Sequence, residues 1–355
     1  MKISILFLVI CCIVTAKGQI FTQSTTNGSI TITPKGLQGS TNSGAGSDNL
    51  ALGFNALSSN LTGSVNTAIG NYALFSNTSG FFNTANGKLA LYSNKTGNGN
   101  TASGYLALFE NTTGERNTAY GGNALATNTT GNYNTASGVY ALGTNSTGSY
   151  NTISGFFSLF ANTIGSFNIA VGYNAGDNNT TGCNNTFLGT NANATKGSFN
   201  NATAIGANAY VNATNKVRIG NDTVTVIEGT VPWSTPSDRR LKTNISPSAL
   251  GLSFITRLAP MSYTYIADKT NVRHDGLIAQ DVEKIMQELG VEFSGLQKSS
   301  DGTYSLAYSD FVMPLVNAVN EQQQKIEKLE KEIAELRELK KEVEALAKAV
   351  NSKQN

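Results

Sequence analysis

The chain has 355 residues, room for two or three domains, and only 14% of them are charged, against about 25% in an ordinary soluble domain. A net charge of +2 supplies no basic field, so neither nucleic acid nor an acidic membrane surface is an expected partner. One His (His274) and three Cys, two of them adjacent near the N-terminus, are too few for a His/Cys zinc site, a disulfide scaffold or a choice of His triads; no metal or cofactor is expected. Charge is also unevenly placed: residues 20–230 hold 13 Asp, Glu, Lys and Arg, whereas residues 231–355 hold 33.

Met1 and Lys2 precede an apolar run from Ile3 to Ala16, too short for a comfortable bilayer span and of the length of a secretory h-region. Cleavage after Ala16 or Gly18 makes residues 1–18 a signal peptide, with an uncleaved anchor as the alternative, and residues 19–46 an N-terminal segment. A lipoprotein reading through Cys11 is weaker because bulky Ile10 precedes it. No later segment reaches membrane length, so the mature chain is expected to be secreted or held at the cell surface without a membrane span. Cys183 is then a lone packed thiol.

From Gly53 to Gly206 a glycine recurs every seventeen residues through ten copies. Asn stands four residues before it (Asn66, Asn83 and their equivalents), Thr usually three before, and Ala three after; a second glycine column runs from Gly63 to Gly182. Seventeen residues are too few for a helical hairpin, so each copy reads as a coil of strand and turn. The N-T-A-x-G segment is the strand, and the two glycine columns are the bends, where positive φ is needed. Stacked coils place like residues ~4.8 Å apart, which predicts Asn and Thr ladders along a parallel β-roll of roughly 48 Å over residues 47–210.

Leu follows the second Ala in the first seven copies, from Leu57 to Leu159, with Phe75, Tyr92, Phe109 and Phe160 next to it; the last three copies carry Gly176, Asn193 and Tyr210 instead. So thin a coil is expected to leave these side chains as an exposed apolar ridge, for which self-association is the remedy. The N-T-A-x-G-x-x-A-L pattern resembles the head repeats of trimeric autotransporter adhesins. The resemblance implies a left-handed parallel β-roll in a homotrimer, with a surface glycan or protein as ligand. The longer repeat here implies a longer excursion through Asn77-Thr78 and its equivalents.

Other readings of the repeats are weaker. The N-x-S/T triplets beginning at Asn60, Asn77, Asn94, Asn111, Asn128, Asn145 and Asn179 read as turn chemistry in preference to glycan acceptors. The Thr columns read as folding ladders in preference to an ice-binding face. Asp48, Glu110, Glu115 and Asp177 are scattered and make no carboxylate pair for glycan hydrolysis.

Residues 211–236 read as a connector. Beyond it, Ser246-Pro247 predicts a helix start running to about Leu258. Met261 to Ile266 alternates like a strand, and Tyr304 to Tyr308 is strand-like. Ile278, Val282, Ile285 and Leu289 predict a helix stopped by Gly290. Val312, Leu315, Val319, Gln322, Ile326, Leu329, Ile333 and Leu336 step by three and four, and Leu339, Val343, Leu346 and Val350 resume after a stammer. The fold class is thus mainly β: a parallel β-solenoid, then a small α+β module over 237–320 that ends in a long coiled-coil helix (321–355).

Three segments of that module, S-D-R-R-L-K-T-N-I from Ser237, G-L-I-A-Q-D-V from Gly276 and Y-S-D-F-V-M-P-L-V-N-A-V from Tyr308, closely resemble the C-terminal intramolecular chaperone of endosialidase tail spikes and related tail fibres. The resemblance implies a module that trimerises a β-rich fibre and then cuts itself off, with Ser237 as nucleophile and Lys242 as base. The cut would fall between Pro236 and Ser237. A Ser hydroxyl beside a neutral Lys is an established alternative to a His base, and burial or a neighbouring cation favours neutral Lys. Arg239 and Arg240 are candidates for that cation. Asp238, His274 and Gln280 are supporting residues, with His274 read as a structural hydrogen-bond partner and Asp238 as a loop-ordering group. The alternative is a structural adhesin or fibre that keeps its trimerisation tail.

Overall fold

The computed structural model describes residues 48–352 apart from 232, 267–270 and 300. The expected signal peptide and the segment 19–46 lie outside the described residues. The described residues form two compact units that divide between Asn221 and Asp222.

In the first unit, eleven short parallel strands lie in chain order in one sheet, from Leu50–Leu52, Thr67–Ile69 and Thr84–Asn86 to Thr203–Ile205 and Val217–Ile219. Thr67 pairs with Thr84 and Ala68 with Ala85, so each strand advances by one repeat. This is the β-solenoid that the periodicity predicts. Its last step, Thr203 to Val217, is shortened to 14 residues and reaches into the stretch read as connector.

The first glycine column does take positive φ, between 111° and 147°. A stricter constraint is the neighbouring coil: a Cβ on Gly155 would stand 2.2 Å from the carbonyl oxygen of Gly172. The second column corrects the expectation that both make left-handed bends, because Gly63, Gly80 and Gly97 are absent from the residues of positive φ. These glycines are selected by crowding: a Cβ on Gly114 would meet Asn111 Oδ1 at 2.4 Å and the Gly131 carbonyl at 2.5 Å.

The Leu column overturns the exposed-ridge expectation. Leu74, Leu91, Leu108, Leu125, Leu142 and Leu159 are fully buried within the coil, beside the two buried Ala columns. The chain achieves this by putting bulky residues in left-handed conformation, such as Tyr140 (φ 59°), Leu142 (φ 52°) and Tyr150 (φ 60°). That conformation costs about 1–2 kcal/mol per residue. Complete burial of a Leu side chain contributes about 1.5–3 kcal/mol, which offsets it. The outward apolar side chains lie in other columns, among them Phe54, Tyr105, Phe156 and Tyr173, and stacked pairs such as Tyr133–Tyr150 and Tyr150–Phe167.

Two Asn ladders line the interior. In one, the Asn83 amide N–H donates to Asn66 Oδ1 (2.9 Å) while Asn83 Nδ2 donates to the Gly97 carbonyl (2.9 Å). In the other, Asn94 Nδ2 donates to Asn77 Oδ1 (2.9 Å) and to the same Gly97 carbonyl (3.0 Å). The Asn residues of most N-x-S/T triplets, Asn77, Asn94, Asn111, Asn128, Asn145 and Asn179, belong to this second ladder and are inaccessible. The hydroxyl ladder is formed by Thr78, Thr112, Thr129, Ser146 and Thr163, each donating to a carbonyl of the next coil, rather than by the strand Thr residues. Asp177 has a buried Oδ1 without a partner, and burial pushes its carboxyl up.

Where Gly176 replaces Leu, Phe187 replaces the strand Ala and fills the vacated space: a Cβ on Gly176 would lie 2.6 Å from Phe187 Cδ2 and 2.7 Å from Leu159 Cδ1. Gly176→Leu should therefore destabilise the rod by about 1–3 kcal/mol through overpacking. Adding Phe187→Ala should restore most of that loss, a coupling that thermal denaturation of the two single variants and the double variant measures.

In the second unit, Phe254, Val282, Phe293 and Phe311 form a small core. Around it lie α1 (Leu252–Ile255), α2 (Ala279–Leu289), α3 (Val312–Ser352) and two antiparallel hairpins, Met261–Tyr263 with His274–Gly276 and Leu296–Lys298 with Tyr304–Leu306. Gly290 ends α2 in left-handed conformation as expected (φ 63°). The helix expected from Ser246 to Leu258 is only α1, with Gly251 at its N-cap. Ser246-Pro247 lies in irregular chain, and the first free α1 amide, Leu252 N–H, is instead capped by Glu321 Oε2 (3.0 Å) from α3. The helix α3 runs unbroken through the stammer. Pro314 and Ala318 turn inward, while Val312, Leu315, Val319, Ile326, Leu329, Ile333, Leu336, Leu339, Val343 and Leu346 form an exposed seam. No helix among the described residues is long and apolar enough to cross a membrane.

Candidate functional site

Ser237 and Lys242 are brought together by a single turn of 3₁₀ helix, Arg239–Leu241. Asp238 caps that turn, its Oδ1 accepting from the Arg240 amide N–H (2.9 Å). Backbone bonds from Leu241 N–H to Asp238 O and from Lys242 N–H to Arg239 O (both 3.1 Å) close it. The turn folds the chain back so that Lys242 Nζ donates to Ser237 Oγ at 2.7 Å. A five-residue spacing in extended chain would separate the two groups by far more than a hydrogen bond.

Of the two cations expected to assist Lys242, Arg240 is engaged elsewhere. Arg240 grips Asp238 through Nε (3.0 Å) and Nη2 (2.6 Å). This pair holds the Asp238 carboxyl below its usual value, with the Arg240 side chain as the largest cause. Arg239 is exposed. Asp238 thus caps the turn, and Arg240 braces Asp238. Pro236, Ser237 and Lys242 are themselves exposed in the single chain.

The His274 ring stacks with Tyr263 and packs against Tyr265. Tyr263 is hydrogen-bonded to Tyr265, the main cause that raises its hydroxyl well above the normal value, with burial second. Tyr308 OH accepts from Leu277 N–H (2.8 Å) and ties the third sequence motif to the second. Gln280 lies exposed in the first turn of α2.

Sequence reasoning missed two long-range contacts further along the chain: Asn317 Nδ2 donates to the Leu250 carbonyl (3.0 Å), and Glu321 caps Leu252. Partners 67 and 69 residues apart leave no periodic or local signal to find.

Residues 237–291 match the model of the family described as chaperone of endosialidase. The match opens on Ser237, includes Lys242 and the Gly276–Val282 motif, and ends before the Tyr308 motif. The C-terminal region therefore carries a chaperone domain of the endosialidase type. No curated protein and no solved structure matches the chain.

Proposed function

We propose that the chain is an extracellular homotrimeric fibre whose C-terminal domain assembles it and then cuts the Pro236–Ser237 bond. The Lys242 Nζ to Ser237 Oγ contact of 2.7 Å, at the first position of the family match, carries this reading. A neutral Lys242 takes the Ser237 hydroxyl proton as Oγ attacks the Pro236 carbonyl carbon. Collapse of the tetrahedral adduct breaks the Pro236–Ser237 C–N bond, and the Ser237 nitrogen leaves as an amine that takes up the proton. Water then hydrolyses the ester between Pro236 and Ser237 Oγ, leaving a Pro236 carboxylate and a free Ser237 N-terminus. Enclosure of the exposed Lys242 by neighbouring copies favours its neutral form, which ties the reaction to assembly.

The α3 seam is the route to assembly. Parallel rods with non-local strand contacts are slow to register, and tethering three copies at one end raises their effective concentration. The rod's polar and aromatic outer columns are the surface offered to a glycan or protein ligand. Exposure of both dyad residues in the single chain favours a second reading, a permanent trimerisation tail.

Intact-mass measurement decides between them. The first reading expects wild-type protein to yield a fragment beginning at Ser237, with Ser237→Ala and Lys242→Ala remaining full-length. Assembled wild-type trimers that stay full-length establish the permanent tail.

A further inference from the structure

We propose that Glu321 and Asn317 are positioning residues for the Ser237–Lys242 pair, transmitting the ordering of α3 to the segment that carries it. This rests on the cleavage reading above. The pair is a local cassette, built from residues 237–242 alone. The chain from 243 to 249 is irregular and almost wholly exposed. The next firm attachment is at Leu250–Leu252, where Asn317 Nδ2 holds the Leu250 carbonyl (3.0 Å) and Glu321 Oε2 accepts from Leu252 N–H (3.0 Å).

Close fit marks this attachment as specific. A Cβ on Gly251 would come within 2.0 Å of Glu321 Oε1, so a side chain there would push the carboxylate off its present position on the Leu252 amide. Asn317 and Glu321 are four residues apart on one side of α3, together with buried Ala318. Val312, Leu315 and Val319 lie on its exposed seam over the same turns. One stretch of helix therefore carries both the surface that meets other copies and the clamp that fixes the cassette's base. Ordering the helix by association secures the clamp and restricts where the cassette can lie.

The test follows cleavage of the full chain by mass spectrometry, with oligomeric state measured in parallel by sedimentation. Glu321→Ala is expected to assemble like wild type but to cleave about tenfold to a hundredfold more slowly, the effect of a displaced reacting group. Glu321→Gln keeps an oxygen acceptor for Leu252 N–H and is expected to cleave at close to the wild-type rate. Gly251→Ala should match Glu321→Ala, and combining the two should add nothing further, because both break the same contact. Wild-type cleavage with an equally fast, assembled Glu321→Ala overturns the clamp alone. A Glu321→Gln variant as slow as Glu321→Ala, or a Glu321→Ala chain that no longer assembles, also overturns it. Wild-type protein that assembles without cleaving removes the cleavage reading itself, and the clamp's role with it.

Discussion

Replacing Gly121 by Ala is expected to break the rod at its middle, while the same change one residue later leaves it intact or slightly firmer. Gly121 has φ 121°, and its added Cβ would stand 2.7 Å from both the carbonyl carbon and oxygen of Gly138 in the next coil. Backbone cannot swing aside as a side-chain end can. Left-handed strain and overpacking together should cost about 2–5 kcal/mol. At Gly122 the nearest atom to an added Cβ is the Tyr105 carbonyl oxygen at 3.8 Å, an ordinary contact, and φ is not positive. Other coils carry Lys88, Tyr105 and Val139 in that column. Gly122→Ala should raise stability by about 0.5 kcal/mol by narrowing the unfolded ensemble. Thermal melts of the two variants check the contrast, and equal melting temperatures would sink the close-packed-backbone account.

Gly121 and its equivalents were legible because a repeated constraint prints a repeated residue. The Asn ladders and the solenoid class were legible for the same reason. The direction of the Leu column was not. Side-chain direction in a coil depends on which residues are left-handed, and propensity assigns that conformation to Gly or Asn rather than to Leu142 or Tyr140. Only the gain from burying one Leu on another along the axis reverses the local preference. The argument for self-association from a greasy Leu ridge falls with it, leaving the α3 seam and the chaperone domain to carry that case.

The second unit divides along the same line. Ser237 and Lys242 were singled out only by the resemblance to the endosialidase chaperone, and one turn capped by the adjacent Asp238 places their side chains side by side. The start of α1 was misread because Ser246-Pro247 is a local helix-start signature, whereas the actual cap comes from Glu321, 69 residues beyond Leu252. A tertiary carboxylate moved the helix start past the local signal. The turn at Ser237–Lys242 is thus written locally, and the start of α1 at long range.

Asn128→Asp should be the most damaging isosteric change in the rod, and its damage should depend on pH. Asn128 Nδ2 donates to Asn111 Oδ1 (2.8 Å) and to the Gly131 carbonyl (3.0 Å), while its Oδ1 accepts from Asn145 Nδ2 (2.8 Å). A carboxylate keeps the last bond and turns the first two into oxygen facing oxygen, in a fully buried site. An uncompensated buried charge of this kind costs about 3–5 kcal/mol. Burial raises the folded-state pKa of the new carboxyl above its unfolded value of about 4. The folded rod therefore prefers the protonated form: the penalty is full above the folded pKa and shrinks as pH falls through it, because a neutral carboxyl can again donate one bond. Asn128→Ala removes the same donors without a charge and should be less stable than the parent by an amount insensitive to pH. Each coil touches only its neighbours, so the defect should appear as early melting of the coils around Asn128 rather than as loss of the whole rod. Circular dichroism melts between neutral pH and about pH 4 test this, since the usual unfolded value sets the lower end of the window. A deficit in Asn128→Asp that stays constant across that range would show that the ladder site is open to water.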